Sequence, residues 1–323
     1  MPEATFREAL RLTLREELLA DERVILMGED IGAYGGSYAV TKGFLEEFGP
    51  ERVLDTPISE LVIVGCGIGA AMGGLRPMVE LMTINVSLLA FDQIVNNAAK
   101  LHYMSGGQVN VPLVIRMASG AGSQLSSQHS HSLEGWYAHI PGLKVAVPFT
   151  PYDARGLLKT ACRDPNPVIF IEHTALYSRK GEIPDEEYSI PFGQAEVYRE
   201  GKDVTLIGYS GSVYQASQAA DLLAEQGHSA EVLNLRTLRP LDVETIVASV
   251  RKTHRAVVVE DDWKFGGFAG EIASLIMEQA FDELDAPVAR VCGADVPIPY
   301  AKELEQAALP SERQIADAAL ALM

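Results

Sequence analysis

Cysteine is scarce in this chain of 323 residues, and basic side chains are outnumbered by acidic ones. The three cysteines, Cys66, Cys162 and Cys292, are an odd number at long spacings with no Cys-x-x-Cys. That pattern excludes a disulfide framework and fits a reduced, intracellular setting. Lys and Arg number 26 against 44 Asp and Glu, a formal charge of −18. Nucleic acid and anionic membranes are recognised by clustered cations, so neither is expected as a partner, whereas a basic protein surface is compatible. No uncharged apolar run approaches the ~20 residues of a membrane helix. The amino-terminal stretch, Met-Pro-Glu-Ala-Thr-Phe-Arg-Glu, meets charge at once and lacks a secretory apolar core. A cytoplasmic location is the expectation.

What remains is an ordinary globular composition, 47% hydrophobic and 22% charged, long enough for two α/β domains. Thr5 and Glu8 form a capping-box pattern ahead of Phe6, Leu10, Leu14 and Leu18, the spacing of an amphipathic helix. Val24–Met27 reads as a buried strand ending in Gly28-Glu29-Asp30. Further strands are predicted at Pro77–Met82, Pro112–Met117, Lys144–Val147 and Val168–Glu172. Helices are predicted at Ile58–Gly74, Ser87–Tyr103 and Pro151–Arg163. Alternation of this kind predicts a parallel sheet covered on both faces. The polar, proline-punctuated stretch from Arg179 to Glu187 reads as the start of a linker. Alternation then resumes, with strands at Val204–Ile207, Ala230–Leu235 and Ala256–Glu260. The expected division is a first domain over 1–180, a linker over 181–200 and a second domain over 201–323.

Several motifs carry chemistry. Glu60 stands just ahead of an uncharged run from Leu61 to Leu75. A carboxylate at the mouth of an apolar segment is partly desolvated, which suits it to proton exchange with a cofactor. Gly65-Cys-Gly67-Ile-Gly69-Ala70 fits a dinucleotide fingerprint, but Ile58-Ser59-Glu60 before it reads as a helix start rather than a strand. An NAD-dependent oxidoreductase therefore stands as an alternative from another class. Small residues at 65, 67, 69, 70, 71, 73 and 74 equally suit a helix that approaches a neighbour closely. Gln128-His129-Ser130-His131 follows a flexible polar loop, the kind of segment that carries active-site side chains. Alternate residues of an extended segment share a side, so His129 and His131, with Glu134, also spell a metal pair. A histidine acting on protons or substrate is the stronger reading, since imidazole is the side chain suited to proton transfer near neutral pH.

Across nearly the whole chain, motifs in order resemble the β subunits of thiamine diphosphate-dependent 2-oxo acid dehydrogenases, the pyruvate enzymes above all. They include Thr56-Pro-Ile-Ser-Glu60, Gly69-Ala-Ala-Met72, Gly74-Leu-Arg-Pro77, Asp92-Gln-Ile94, Tyr103-Met-Ser-Gly-Gly107 and Gln128-His-Ser130. Pro141-Gly-Leu-Lys-Val145, Asn234-Leu-Arg-Thr-Leu-Arg-Pro240 and Gly293-Ala-Asp-Val-Pro-Ile-Pro-Tyr-Ala-Lys302 extend the likeness into the second half. The resemblance implies an α/β fold of two parallel-sheet domains. The first is a pyrimidine-binding domain and the second is of the transketolase C-terminal type.

It also implies roles. Glu60 matches the acid that hydrogen-bonds a ring nitrogen of the cofactor's aminopyrimidine. His129 matches an active-site histidine associated with proton transfer and acyl transfer to a lipoyl group. Glu29 matches an acid at the cofactor site linked to proton communication between sites. Val86 stands where an aromatic residue commonly faces the cofactor ring, a departure that removes a π face. Leu113, Ala161, Cys162, Asp164 and Asn166 match positions around a structural potassium ion. This chain has no Gly-Asp-Gly, the motif that in the family lies on a separate α subunit and holds Mg2+ and pyrophosphate. Expected partners are therefore that α subunit in an α2β2 heterotetramer, and the peripheral binding and lipoyl domains of a dihydrolipoyl acyltransferase. A branched-chain 2-oxo acid or acetoin dehydrogenase β subunit is the nearest alternative.

Overall fold

A computed structural model describes residues 3–323. The first two residues of the expected 1–180 domain lie outside them. The chain forms two compact units. One comprises residues up to Ser119 together with Trp136–Phe192, and the other Gly120–Gly135 with Gly193–Met323.

The first unit opens with β1 (Glu3–Thr5) and α1 (Phe6–Ala20). Thr5 and Glu8 make the reciprocal capping box that their spacing predicts, satisfying free N–H groups at the helix start. There follow β2 (Val24–Gly28), β3 (Val53–Asp55), α2 (Glu60–Met72), β4 (Arg76–Leu81), β5 (Val114–Ser119), β6 (Lys144–Ala146), α3 (Pro151–Arg163), β7 (Val168–His173) and β8 (Lys180–Glu182). β1 and β8 pair antiparallel. The main sheet of this unit runs β6-β7-β5-β4-β2-β3, and every pairing in it is parallel. β2, β5 and β7 are buried along their full lengths, as strands covered on both faces must be.

The path through this sheet reverses at β2. From there the chain steps outward to β3, then returns to place β4 on the other flank. In parallel α/β sheets the crevice beyond the carboxyl ends of strands at such a reversal is where ligands sit. Glu29, Glu60 and Val86 all follow the carboxyl ends of these three strands.

Two local expectations change. The segment Ser87–Tyr103, predicted as one helix, is a short 3-10 turn at Val86–Ala90, a π-type stretch at Gln93–Ala98 and an α-helical turn at Ala99–Met104. The apolar spacing fixes the buried Ile94 and Ala98 but not the hydrogen-bond pitch between them. The stretch 181–200 carries strand pairing near both ends, at β8 and at Glu196–Arg199.

The second unit contains β9 (Glu196–Arg199), β10 (Val204–Gly208), α4 (Ser212–Glu225), β11 (Ala230–Asn234), α5 (Val243–Thr253), β12 (Ala256–Trp263), α6 (Phe268–Ala280), β13 (Ala289–Gly293), α7 (Lys302–Ala308) and α8 (Glu312–Leu320). Its sheet order is β13-β12-β10-β11-β9, parallel except for the antiparallel edge strand β9. The segment Gly120–Gly135, which sequence alone assigns to the first domain, is part of this unit. Among the described residues no helix is long and apolar enough to cross a membrane.

Candidate active site

In the first unit the site is built on the ends of β2, β3 and β4. Glu60 is the first residue of α2, only 6% exposed, and its neighbours on the buried face are Ile63, Val64, Gly67, Ile68 and Ala71. A carboxylate in the first turn is favoured by the helix dipole. Its place at the head of this helix, just past β3, sets a largely buried acid at the carboxyl edge of the sheet. Glu29 is half-buried beyond β2, and its carboxyl is pushed upward by burial first, then by the charges of Asp30 and Glu60. That Glu60 is among the charges acting on Glu29 puts these two acids in one electrostatic neighbourhood. Val86 is half-buried at the start of the turn after β4. The hydroxyls of Thr56 and Thr83, which follow β3 and β4, are buried and lack a partner among the described residues. Sequence reading gave neither threonine a role, although Thr56 opens the Thr56-Pro-Ile-Ser-Glu60 motif; their position just past strand ends was the available signal.

The loop from Glu29 onward is firmly held. Asp55 Oδ1 accepts from Gly32 N–H at 2.5 Å and Asp55 Oδ2 from Ala33 N–H at 3.1 Å. Tyr38 stacks on Tyr177 with ring centroids 4.6 Å apart. Tyr177 donates to Glu172 at 2.7 Å, and Glu172 is bound by Arg116, which also reaches Glu80 at 2.8 Å. A methyl added at Gly36 of the loop would come within 2.9 Å of Glu80 Oε1. This buried chain of ion pairs was also missed, although each of β4, β5 and β7 shows one charge inside an otherwise apolar run.

The glycines of the dinucleotide pattern lie inside α2, not on a strand-to-helix turn. They cannot present N–H groups to a pyrophosphate, because those groups are spent on the helix, and the NAD reading loses its structural basis. Gly67 instead faces the sheet, where an added Cβ would meet Val79 at 2.8 Å and Leu113 at 3.2 Å.

In the second unit His129 is exposed on the loop 120–131, its N–H donating to Ser126 O at 3.2 Å. His131 is half-buried edge-on to Trp263, with centroids 5.4 Å apart, and burial holds its pKa below the usual histidine value. The two rings therefore sit in different surroundings. Among the described residues no group of three or more His, Cys, Asp or Glu side chains is arranged to hold a metal.

The residues matched to potassium lie in the first unit, and most of their oxygens already accept hydrogen bonds from the chain. Leu113 O accepts from Val168 N–H at 2.9 Å, Ala161 O from Asp164 N–H at 3.2 Å and Cys162 O from Arg76 Nη1 at 2.9 Å. Asp164 accepts from Asn166 N–H at 2.9 Å and pairs with Lys144. Asn166 Oδ1 is buried with no partner among the described residues.

Comparison with known proteins adds independent information. Residues 2–180 match the transketolase pyrimidine-binding domain, and residues 193–315 match the transketolase C-terminal domain. A rice (Oryza sativa subsp. japonica) protein named pyruvate dehydrogenase E1 component subunit beta-2, mitochondrial, is 52% identical over 321 residues, covering 98% of this chain and 85% of that one. The Rickettsia felis protein named pyruvate dehydrogenase E1 component subunit beta is 50% identical over 314 residues, covering 97% and 96%. A solved structure described as a split-gene transketolase, inactive beta4 tetramer, superposes with a TM-score of 0.79 at 22% identity, covering 98% of this chain and 97% of that one. That last likeness concerns the fold.

Proposed function

The chain belongs to the family of pyruvate dehydrogenase E1 β subunits, built from the transketolase pyrimidine-binding and C-terminal domains, and on that premise we propose that it is the β half of a pyruvate-decarboxylating, acetyl-transferring enzyme. The family is thiamine diphosphate-dependent. The observation that carries the reading is Glu60: a largely buried acid that opens an apolar helix at the carboxyl edge of a parallel sheet where the strand order reverses.

The residues present fit the cofactor's aminopyrimidine. Glu60 supplies a carboxyl group on a largely buried residue, the Thr56 and Thr83 hydroxyls are buried and lack a partner among the described residues, and Val86 offers a small apolar wall. Thiamine diphosphate, held by these residues, would supply the nucleophilic and electron-accepting chemistry that decarboxylation of a 2-oxo acid needs. Glu60 would hold a proton against a ring nitrogen of the pyrimidine, setting that ring's protonation and orientation. Glu29 shares the negative field at Glu60 and would help govern when that proton is held. His129 would serve a proton near the acyl group during its transfer to lipoate.

Finer parts of the proposal follow from the same premise. The α subunit would hold Mg2+ and the diphosphate, consistent with the absence of Gly-Asp-Gly, and two copies of each chain would form α2β2. The formal charge of −18 favours docking of a basic peripheral binding domain of the acyltransferase, and raised salt should weaken that docking. Asn166 Oδ1 is the acceptor best suited to a potassium ion; replacing potassium by choline should lower the unfolding midpoint, and an unchanged midpoint would remove that ion from the account. Three free cysteines suit a reducing cytoplasm. The deciding experiment is joint expression with the α subunit, followed by decarboxylation assays on pyruvate, 3-methyl-2-oxobutanoate and acetoin with thiamine diphosphate and Mg2+. Pyruvate should be turned over fastest; preference for either rival, or activity of the β chain alone, would overturn the reading.

A further inference from the structure

The loop that carries His129 is exposed, yet its backbone is bound at several points within the second unit. At its tip, the carboxylate of Glu305 accepts N–H groups from Gly122 at 3.0 Å and from Gln124 at 3.1 and 3.2 Å. Glu305 lies on α7 and is 1% exposed. Two backbone donors spaced by one residue converge on one anion only if the chain between them turns through unusual conformations. Gly122 takes φ +103° and Gln124 φ +56°, the left-handed region that a side-chain-bearing residue enters only when something holds it there. The carboxylate provides that hold, since charge-assisted bonds to N–H groups are stronger than neutral ones.

The rest of the loop is fastened to the same bed. Ala121 packs with Ile298 and Ala308, the last residue of α7. Ala308 O accepts from Ala294 N–H at 2.9 Å. Val296 O accepts from the Trp263 indole N–H at 3.0 Å, and Trp263 meets the His131 ring. Gly120 N–H reaches His131 O at 3.0 Å and closes the loop's mouth. His129 thus stands between a fastened tip and a fastened foot, with only the short turn from Ser126 of its own.

We propose that Glu305 is the positioning residue for the His129 loop: its carboxylate fixes the backbone at Gly122 and Gln124 and thereby sets where the imidazole stands. The inference deepens the reading of His129 given above and rests on it. Glu305 touches neither substrate nor cofactor in this scheme. It acts through the loop.

The test uses the assembled α2β2 enzyme acting on pyruvate and a lipoyl domain. Residue-resolved hydrogen exchange of the parent enzyme comes first. The amides of Gly122 and Gln124 should exchange at least tenfold more slowly than those of the exposed neighbours Ser123 and Leu125. Equal rates would overturn the proposal without any variant. Glu305→Gln should lower kcat for lipoyl acetylation by tenfold or more, leave KM for the lipoyl domain within twofold, and speed exchange over 121–131. Glu305→Asp, which keeps the charge, should recover kcat to within threefold of the parent. Parent-like kcat and exchange in Glu305→Gln, or equal losses in both variants with the loop's exchange unchanged, would overturn it. His129→Gln is run alongside. If that variant keeps parent turnover, the role of His129 falls, while the exchange data still decide whether Glu305 holds the loop.

Discussion

Glu172 grips Arg116 with both carboxylate oxygens, at 2.7 Å to Nε and 2.9 Å to Nη2, in a site where both side chains are almost wholly buried. The same guanidinium also holds Glu80. One cation thus neutralises two acids from neighbouring strands. Removing it strands both. Arg116→Met should destabilise the protein by about 3–5 kcal/mol, the cost of breaking a buried pair from one side. Burial also raises the Glu80 carboxyl above its usual value. A raised acid adds stability below its ordinary pKa and loses it as pH rises through the folded value. The Arg116→Met defect should therefore grow from acid toward neutral pH in denaturant titrations, and a pH-independent defect would count against it.

Glu260 gives a second pH signature in the other unit. It is fully buried, accepts from Ala269 N–H at 3.0 Å and from the Tyr209 hydroxyl at 3.2 Å, and burial pushes its carboxyl up to about 7. Asp262 is pushed up to about 6, again by burial. Protonated forms are favoured in the fold, so stability should fall as pH rises from about 4.5 to about 7, by ~3 kcal/mol at most for Glu260. Glu260→Gln should flatten that slope in a series of thermal melts between pH 5 and 8. A slope as steep as the parent's would refute the assignment.

Two glycines of α2 should respond oppositely to alanine. At Gly67 a methyl group meets Val79 and Leu113, so overpacking should cost roughly 1–3 kcal/mol. At Gly69 nothing lies within 4 Å, and replacing glycine inside a helix should gain up to about 1 kcal/mol in the β chain. Unfolding of the separately expressed chain distinguishes the two; matching signs would show that the helix is misplaced on its sheet.

Val86→Phe should tighten thiamine diphosphate binding to the assembled enzyme by several-fold, since an aromatic face adds about 1 kcal/mol beyond its buried area. Calorimetric titration reads this directly. Unchanged affinity would mean that Val86 does not border the ring.

Much of the fold was legible in the chain because its signals are local. The Thr5–Glu8 box, the helix at Pro151–Arg163 and the strand at Val168–Glu172 each announce themselves within a few residues. Of the candidate site, the placement of a lone acid at the head of an apolar helix was legible, as at Glu60. What stayed hidden depends on distant partners. Arg116 finds Glu80 and Glu172 only once three strands lie side by side, and Glu305 meets Gln124 across 181 positions of chain. The likeness of two helix turns with different pitch concealed the π-type stretch at Gln93–Ala98, because buried side chains recur at nearly the same spacing in both. The segment 120–135 groups with residues far downstream for the same reason: Gly122 bonds Glu305 on α7 and His131 meets Trp263 of β12, partners distant in the chain.

The most direct measurement replaces Glu60 by Gln, which preserves size and removes the proton-holding carboxylate. The variant is assembled with the α subunit and assayed for pyruvate decarboxylation at saturating thiamine diphosphate and Mg2+. The account predicts an intact heterotetramer whose turnover falls by at least 100-fold, about 2.7 kcal/mol of barrier. A variant that assembles and keeps most of the parent's turnover would contradict it.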